Sequence, residues 1–133
     1  MSLFNVFNIA GSGMQAQTVR LNTTASNLAN VDSVATTPDQ AYKAKHPVFA
    51  SVLNAEMTGG VKVKDMYQSD AEHLMRYEPN NPQANEEGYV FQSNVNSIEE
   101  MVNMISASRS YQNNVEVMNT SKELLTKTLS LGK

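Results

Sequence analysis

The strongest pattern of apolar and polar positions lies in the last third of the chain. Met101, Met104, Ser108, Tyr111, Val115, Met118, Lys122, Leu125 and Leu129 follow one another at alternating spacings of three and four, which sets them along one seam of a long helix from about Ser97 to Leu131. Ile98, Val102 and Ile105 broaden the seam at its start. Ser97-Ile98-Glu99-Glu100 has the form of a capping box, in which a serine hydroxyl and a glutamate satisfy backbone donors that have no partner inside the helix. Glutamates open this helix and lysines close it, as the helix dipole favours, and Gly132 suits the point where the chain leaves it. At about 1.5 Å per residue the helix is roughly 50 Å long. The rest of a small chain cannot cover that length, so the seam needs a partner helix.

The other end of the chain supplies one. Leu3, Phe7, Ala10, Met14, Gln17, Leu21, Thr24, Leu28 and Val31 alternate four and three as well. The segment is a poor helix in isolation: Gly11 and Gly13 each cost about 1 kcal/mol relative to alanine, and Asn22, Thr23, Thr24, Ser26, Asn27 and Asn30 are weak formers. Ser12-Gly13-Met14-Gln15 reads as a second capping box, with the residues before it as an apolar arm. The small uncharged side chains Ala16, Thr18, Thr24, Ala25, Ser26 and Ala29 let another helix approach closely. This predicts a face that orders on assembly.

Residues 32–96 change character. They hold all four prolines (Pro38, Pro47, Pro79 and Pro82), a Gly59-Gly60 turn signal, and two short strand patterns over 47–53 and 61–67 that meet near those glycines. Glu78 to Asn85 is turn and loop chemistry. The expected fold is mainly α with a small β module: an N-terminal helical assembly segment (1–31), a β and loop module (32–96) containing a hairpin, and a long C-terminal helix (97–133). The two heptad-patterned helices form a coiled-coil-like bundle.

Charge sharpens this picture. The net charge is -3, and the only charged side chain from Met1 to Val31 is Arg20, so the first segment is not dressed for water and no basic field exists to attract nucleic acid. There is no cysteine, which removes disulfides and thiol chemistry. The start of the chain has neither a basic region nor a secretory apolar core, and no stretch reaches the length of a membrane span. A soluble protein without a cleavable signal and without direct membrane insertion is expected.

Candidate chemistry is thin. Gly11-Ser12-Gly13-Met14-Gln15-Ala16 fits the glycine fingerprint of a dinucleotide site, with Asp32 at a suitable distance, but the fingerprint works only between a strand and a helix of a parallel sheet, and no such context exists. His46 and His73 are the only imidazoles, too few with Asp70 and Glu72 to close a metal site. Glu86-Glu87 and Glu99-Glu100 are adjacent pairs whose side chains diverge, and Ser106, Ser108 and Ser110 have no histidine nearby. No catalytic, cofactor-binding or metal residue is assigned, and the protein is not expected to be an enzyme.

Two long stretches carry a family resemblance. Gly88-Tyr89-Val90, Asn94-Val95-Asn96 and the run from Glu100 to Val117 at one end, with Ile9-Ala10-Gly11-Ser12-Gly13-Met14, Arg20-Leu21-Asn22 and Ala25-Ser26-Asn27-Leu28-Ala29-Asn30 at the other, resemble the flagellar basal-body rod proteins. The longer stretch after Asn30, with Ala41 before Tyr42 where distal rod and hook relatives have a Gly-Tyr pair, is similar to the proximal rod subunits. The resemblance implies a structural protein exported unfolded through the flagellar type III apparatus and built into the periplasmic rod of the basal body. Its implied partners are the rod proteins FlgB, FlgF and FlgG, the ring-to-rod adaptor FliE, the export apparatus and copies of itself. Packing is expected from Met14, Leu21, Leu28, Met101, Met104, Val115, Met118 and Leu125, with Asn27, Asn30, Arg109 and Gln112 fixing register across the assembly interface. The rival expectation is a helical adaptor or export chaperone that binds a partner without polymerising.

Overall fold

The computed structural model describes residues 2–53 and 59–133. Its elements in chain order are α1 (Leu3–Ala29), β1 (Val34–Ala35), β2 (Lys45–Leu53), β3 (Gly59–Gln68), β4 (Met75–Tyr77), β5 (Tyr89–Gln92) and α2 (Ser97–Leu131). Both terminal segments are helices and a small β module joins them, as the periodicity predicts.

The helix starts differ from expectation. α1 is continuous from Leu3, capped by the Ser2 hydroxyl, which accepts from the Phe4 N–H at 3.3 Å. The proposed second capping box at Ser12 is therefore absent. Ser12 lies inside the helix, where its Oγ donates to the Ile9 carbonyl at 2.8 Å and accepts from the Val61 N–H at 3.1 Å. α2 begins one residue before the serine motif's prediction: Asn96 is the cap, its Oδ1 accepting from the N–H groups of Ile98 and Glu99. An asparagine that can reach two free backbone donors displaces the serine beside it. Glu100 is thereby freed from capping and turns inward.

The helices pack antiparallel. Asn27 meets Glu100, Arg20 Nη2 donates to Asn103 Oδ1 at 3.2 Å, and Gly13 and Gly11 lie against Asn114 and Met118. The two glycines that weaken α1 as an isolated helix sit at this close approach; a Cβ on Gly13 would come within 2.9 Å of the Asn114 amide. Hydroxyls along both helices, among them Thr18, Thr23, Ser121 and Thr128, donate to the carbonyl four residues earlier, which keeps polar side chains satisfied without water.

α1 also carries the β2–β3 hairpin on a second face. The strands pair antiparallel from Lys45↔Gln68 to Leu53↔Gly59, with a bulge where the register shifts between Val48 and Phe49. The sequence reading of this hairpin holds, with one correction. Gly59 and Gly60 are not its turn but the first residues of β3, paired with Leu53 and Val52. Glycine fits there because a Cβ at Gly60 would approach Ser12 Oγ of α1 to 3.3 Å.

A second, three-stranded antiparallel sheet of order β1-β5-β4 is not foreseen from sequence. Its strands β1 and β4 span two and three residues, too few to register a period of two. Val90 at its centre is fully buried. Gly88 turns the chain into β5 with a φ of 84°, a conformation open to glycine. Asn94 ties the module together, accepting from the Ala44 N–H and donating to the Ser69 and Ala71 carbonyls.

Candidate assembly surface

The interior of this chain is made of small residues. Among the described residues its buried apolar members are Ala10, Ala16, Ala35, Ala41, Ala44, Val90 and Ala107, and the largest side chains buried completely are Val90 and Asn27. A valine and an asparagine cannot anchor a core in the way several buried leucines and phenylalanines would. The large apolar residues are elsewhere.

Asn27 organises the inner face. Its Nδ2 donates to the Lys45 carbonyl at 2.8 Å and to Glu100 Oε2 at 3.1 Å, and its Oδ1 accepts from the Tyr42 hydroxyl and the Lys45 N–H, both at 3.0 Å. One amide thus joins α1, α2 and the start of β2 with every valence used inside the chain. Glu100 is 2% exposed, and its other oxygen lies 3.9 Å from His46 Nδ1. The sequence reading places Asn27 among polar residues fixing register across the assembly interface and gives no sign that it faces the hairpin; its hydrogen bonds here are within the chain.

The remaining residues expected at an interface divide by exposure. Met14, Leu21, Leu28, Asn30, Met104, Val115, Met118 and Leu125 are half-buried, each with part of its surface still open. Met101, Arg109 and Gln112 are exposed. Beyond these, the outer side of α2 carries Ile98, Val102 and Ile105, between 57% and 73% exposed, and near its far end Leu124, Leu129 and Leu131. Leu131 and Val117 fell outside the sequence seam because they follow a second line along the helix.

The outer face of α1 is equally unusual. Phe4, Asn8, Gln15, Thr18, Asn22, Ala25 and Ala29 are exposed at helical spacing and none is charged. The total accessible surface is 9197 Å², whereas a compact monomer of 14.6 kDa exposes roughly 6,900 Å². The difference is on the scale of a stable protein–protein interface. The uncharged face of α1 and the open apolar side chains of α2 form part of this extended surface and make it the candidate assembly surface.

Other sites do not compete with it. Gly11 and Gly13 lie in mid-helix, so the glycine fingerprint has no phosphate-binding turn. His73 Nδ1 donates to the Gln92 carbonyl at 2.8 Å. Among the described residues no cluster of three or more metal-ligating side chains occurs, and no helix is long and apolar enough to cross a membrane.

Comparison with known proteins places these helices. The family described as flagella basal body rod protein matches residues 7–35, which span most of α1 and β1, and the C-terminal family of flagellar basal body rod FlgEFG proteins matches residues 86–131, which span β5 and α2. The flagellar basal-body rod protein FlgC of Escherichia coli O6:H1 is 53% identical over 99% of both chains, that of Salmonella typhimurium 52% over the same share, and that of Bacillus subtilis 36% over the whole of both. Identity of this extent from end to end, with both exposed terminal helices inside rod-family matches, makes this chain a member of the FlgC family of flagellar basal-body rod proteins.

Proposed function

We propose that this chain is a structural subunit of the proximal rod, exported through the flagellar type III apparatus and polymerised through α1 and α2 into the periplasmic drive shaft. It is a flagellar basal-body rod protein and not an enzyme, and it associates with other rod components. Its particular neighbours are FlgB, FlgF, FlgG, the adaptor FliE and further copies of itself. In the rod the helix pair joins helices of neighbouring subunits in a coiled-coil-like bundle, with Met101, Met104, Val115, Met118 and Leu125 in the packing.

The observation that supports polymerisation through the helices is the uncharged outer face of α1 beside the exposed apolar positions of α2. Water solvates such a face poorly, and a neighbouring helix covers it without desolvating any charge. A rod must transmit torque, and interdigitated helices resist shear because packed side chains have few alternative arrangements.

The test puts charge on the outer face of α1 without touching the inner one. Thr18→Glu with Ala25→Glu replaces two exposed side chains by a good helix former, so the circular dichroism melt of the monomer stays within a few degrees. Rods and swimming are lost in cells whose only copy carries the pair. Normal motility with both charges present would show that this face of α1 is not an assembly face.

A further inference from the structure

Arg20 is the only charged side chain between Met1 and Val31, and it is half-buried. α2 and β2 both pack on α1 and approach each other at His46 and Glu100. Beside that approach a cavity of about 340 Å³ opens between the three elements, lined by Arg20 and Thr24 of α1, His46, Pro47 and Phe49 of β2, and Asn103 of α2. Arg20 Nη2 donates to Asn103 Oδ1 at 3.2 Å, a bond that holds the guanidinium in place and leaves its other donors for a second acceptor. Among the described residues no carboxylate pairs with it: the ion pairs there join His46 to Glu100 and Arg76 to Glu78. Glu100 is already engaged by Asn27 and His46. Thr24 is 4% exposed; Thr23 beside it turns its hydroxyl back onto the Val19 carbonyl, whereas the Thr24 hydroxyl has no partner among the described residues.

We infer that this cavity receives a carboxylate side chain of a neighbouring protein chain, an aspartate or glutamate that pairs with Arg20 when the subunit is covered by its neighbours. The inference rests on the rod reading and names the chemistry of one contact within it. Charge selects an acid: the guanidinium fork presents parallel N–H donors that match a carboxylate, and the buried Thr24 hydroxyl adds a neutral donor. Size selects a side chain. The cavity lies at the lower end of the roughly 300–1,000 Å³ that small-molecule pockets occupy, and Pro47 and Phe49 give it an apolar wall for the methylene stem of one acidic residue. Assembly selects a protein source. In the free chain water reaches the half-buried Arg20, but a neighbour that covers the cavity removes that water, and an unpaired charge shut away from water is strongly unfavourable. A neighbour that brings its own carboxylate avoids the penalty. One cation in a segment that otherwise has no charge also discriminates, because a neighbour docked out of register leaves it unpaired.

Charge reversal and zero-length cross-linking read this contact. In cells whose only copy carries Arg20→Glu, the yield of isolated rods falls at least about tenfold, because two carboxylates then face each other. Arg20→Gln keeps a donor for Asn103, so the circular dichroism melt of the purified variant stays within a few degrees of the parent, yet its rod yield falls too. Arg20→Lys keeps the charge and assembles. A water-soluble carbodiimide added to its isolated basal bodies joins the introduced amine to the partner carboxylate as an amide, with loss of water. The product is larger than one chain, and peptide mass spectrometry identifies the acid. Replacing that acid by lysine restores rods to Arg20→Glu cells. Rods at parent yield from Arg20→Glu or Arg20→Gln would overturn the contact, as would Arg20→Lys rods whose introduced amine joins no carboxylate, or only one within the same polypeptide. Millimolar glutarate tests the other source: the melt of the purified parent should not move, and a rise that Arg20→Gln abolishes would assign the cavity to a free small carboxylate and overturn the side-chain occupant. The rod reading is scored apart, and a parent chain absent from isolated rods sinks that reading itself.

Discussion

At the scale of single residues, Asn27 and Glu100 form an unequal pair. Asn27 donates to Glu100 and to the Lys45 carbonyl while accepting from Tyr42 and Lys45, so its loss takes a partner from four groups, of which the Glu100 carboxylate is buried. Asn27→Ala is expected to destabilise the fold by about 3–5 kcal/mol, since stranded buried partners, and a carboxylate above all, cost more than a lost hydrogen bond gains. Glu100 answers differently. Its carboxylate is buried with His46 at 3.9 Å, too far for a hydrogen bond, and Glu100→Gln keeps an acceptor for Asn27 while removing the desolvated charge. Thermal denaturation followed by circular dichroism should place Glu100→Gln at or above the parent and Asn27→Ala far below it. A Glu100→Gln loss comparable to that of Asn27→Ala would mean that the charge itself holds the helices together.

At the scale of elements, the helix pair depends on glycine where helix propensity argues against it. Gly13 costs α1 about 1 kcal/mol relative to alanine, yet its missing Cβ is what leaves room for the Asn114 amide at 2.9 Å. Gly13→Ala alone is expected to be nearly neutral, as gained propensity offsets the displaced amide. Gly13→Ala with Asn114→Ala removes the clash and should raise stability by about 1 kcal/mol, while Gly13→Leu forces the helices apart and should lower it by about 2–3 kcal/mol. Urea denaturation of the three variants decides among these, and a stabilised Gly13→Leu would disprove close packing at this point. The cap is tested likewise: Asn96→Ala should cost about 1 kcal/mol, and Ser97→Ala only a few tenths. What was legible in the sequence is what periodicity encodes over many residues: two long helices, and a hairpin of two short strands. The seam itself is displaced, since α2 closes Glu100, Ala107 and Ser121, which lie off the expected line, while Met101, Tyr111 and Leu129 on that line stay exposed. What was not legible depends on single contacts across the chain. Asn96 against Ser97 as cap is decided by which side chain reaches the free N–H groups. The inward turn of Asn27 depends on a strand 18 residues away. Gly60 fits in β3 because Ser12 of α1 lies against it, a tertiary cause that no local pattern records.

At the scale of the whole molecule, stability and assembly draw on the same surfaces. Neither helix completely buries a large apolar side chain; the closed positions are Ala10, Ala16, Thr23, Thr24 and Asn27 on α1 and Glu100, Ala107 and Ser121 on α2. Helices of this length hold together in water mainly by the apolar face they bury, and here much of that face remains open. Opening of α1 from α2 in the free subunit is therefore expected to be inexpensive, and under the proposed function the free energy that closes the pair arrives with neighbouring subunits. On the proposed reading the same weakness would serve export, because a subunit whose terminal helices separate readily is easily threaded through a narrow channel. Amide hydrogen exchange tests this. In dilute protein, exchange across most of residues 3–29 and 97–131 should be fast, except near Asn27, and the slowest amides should lie around Asn27 and Val90, where the polar node and the small sheet close the interior. In assembled rods both helices should become slow along their whole length, the far end of α2 included. Uniformly slow exchange in the dilute chain would mean that the helix pair is stable by itself and would favour a self-contained helical adaptor, since a subunit already rigid has little ordering left for neighbours to drive.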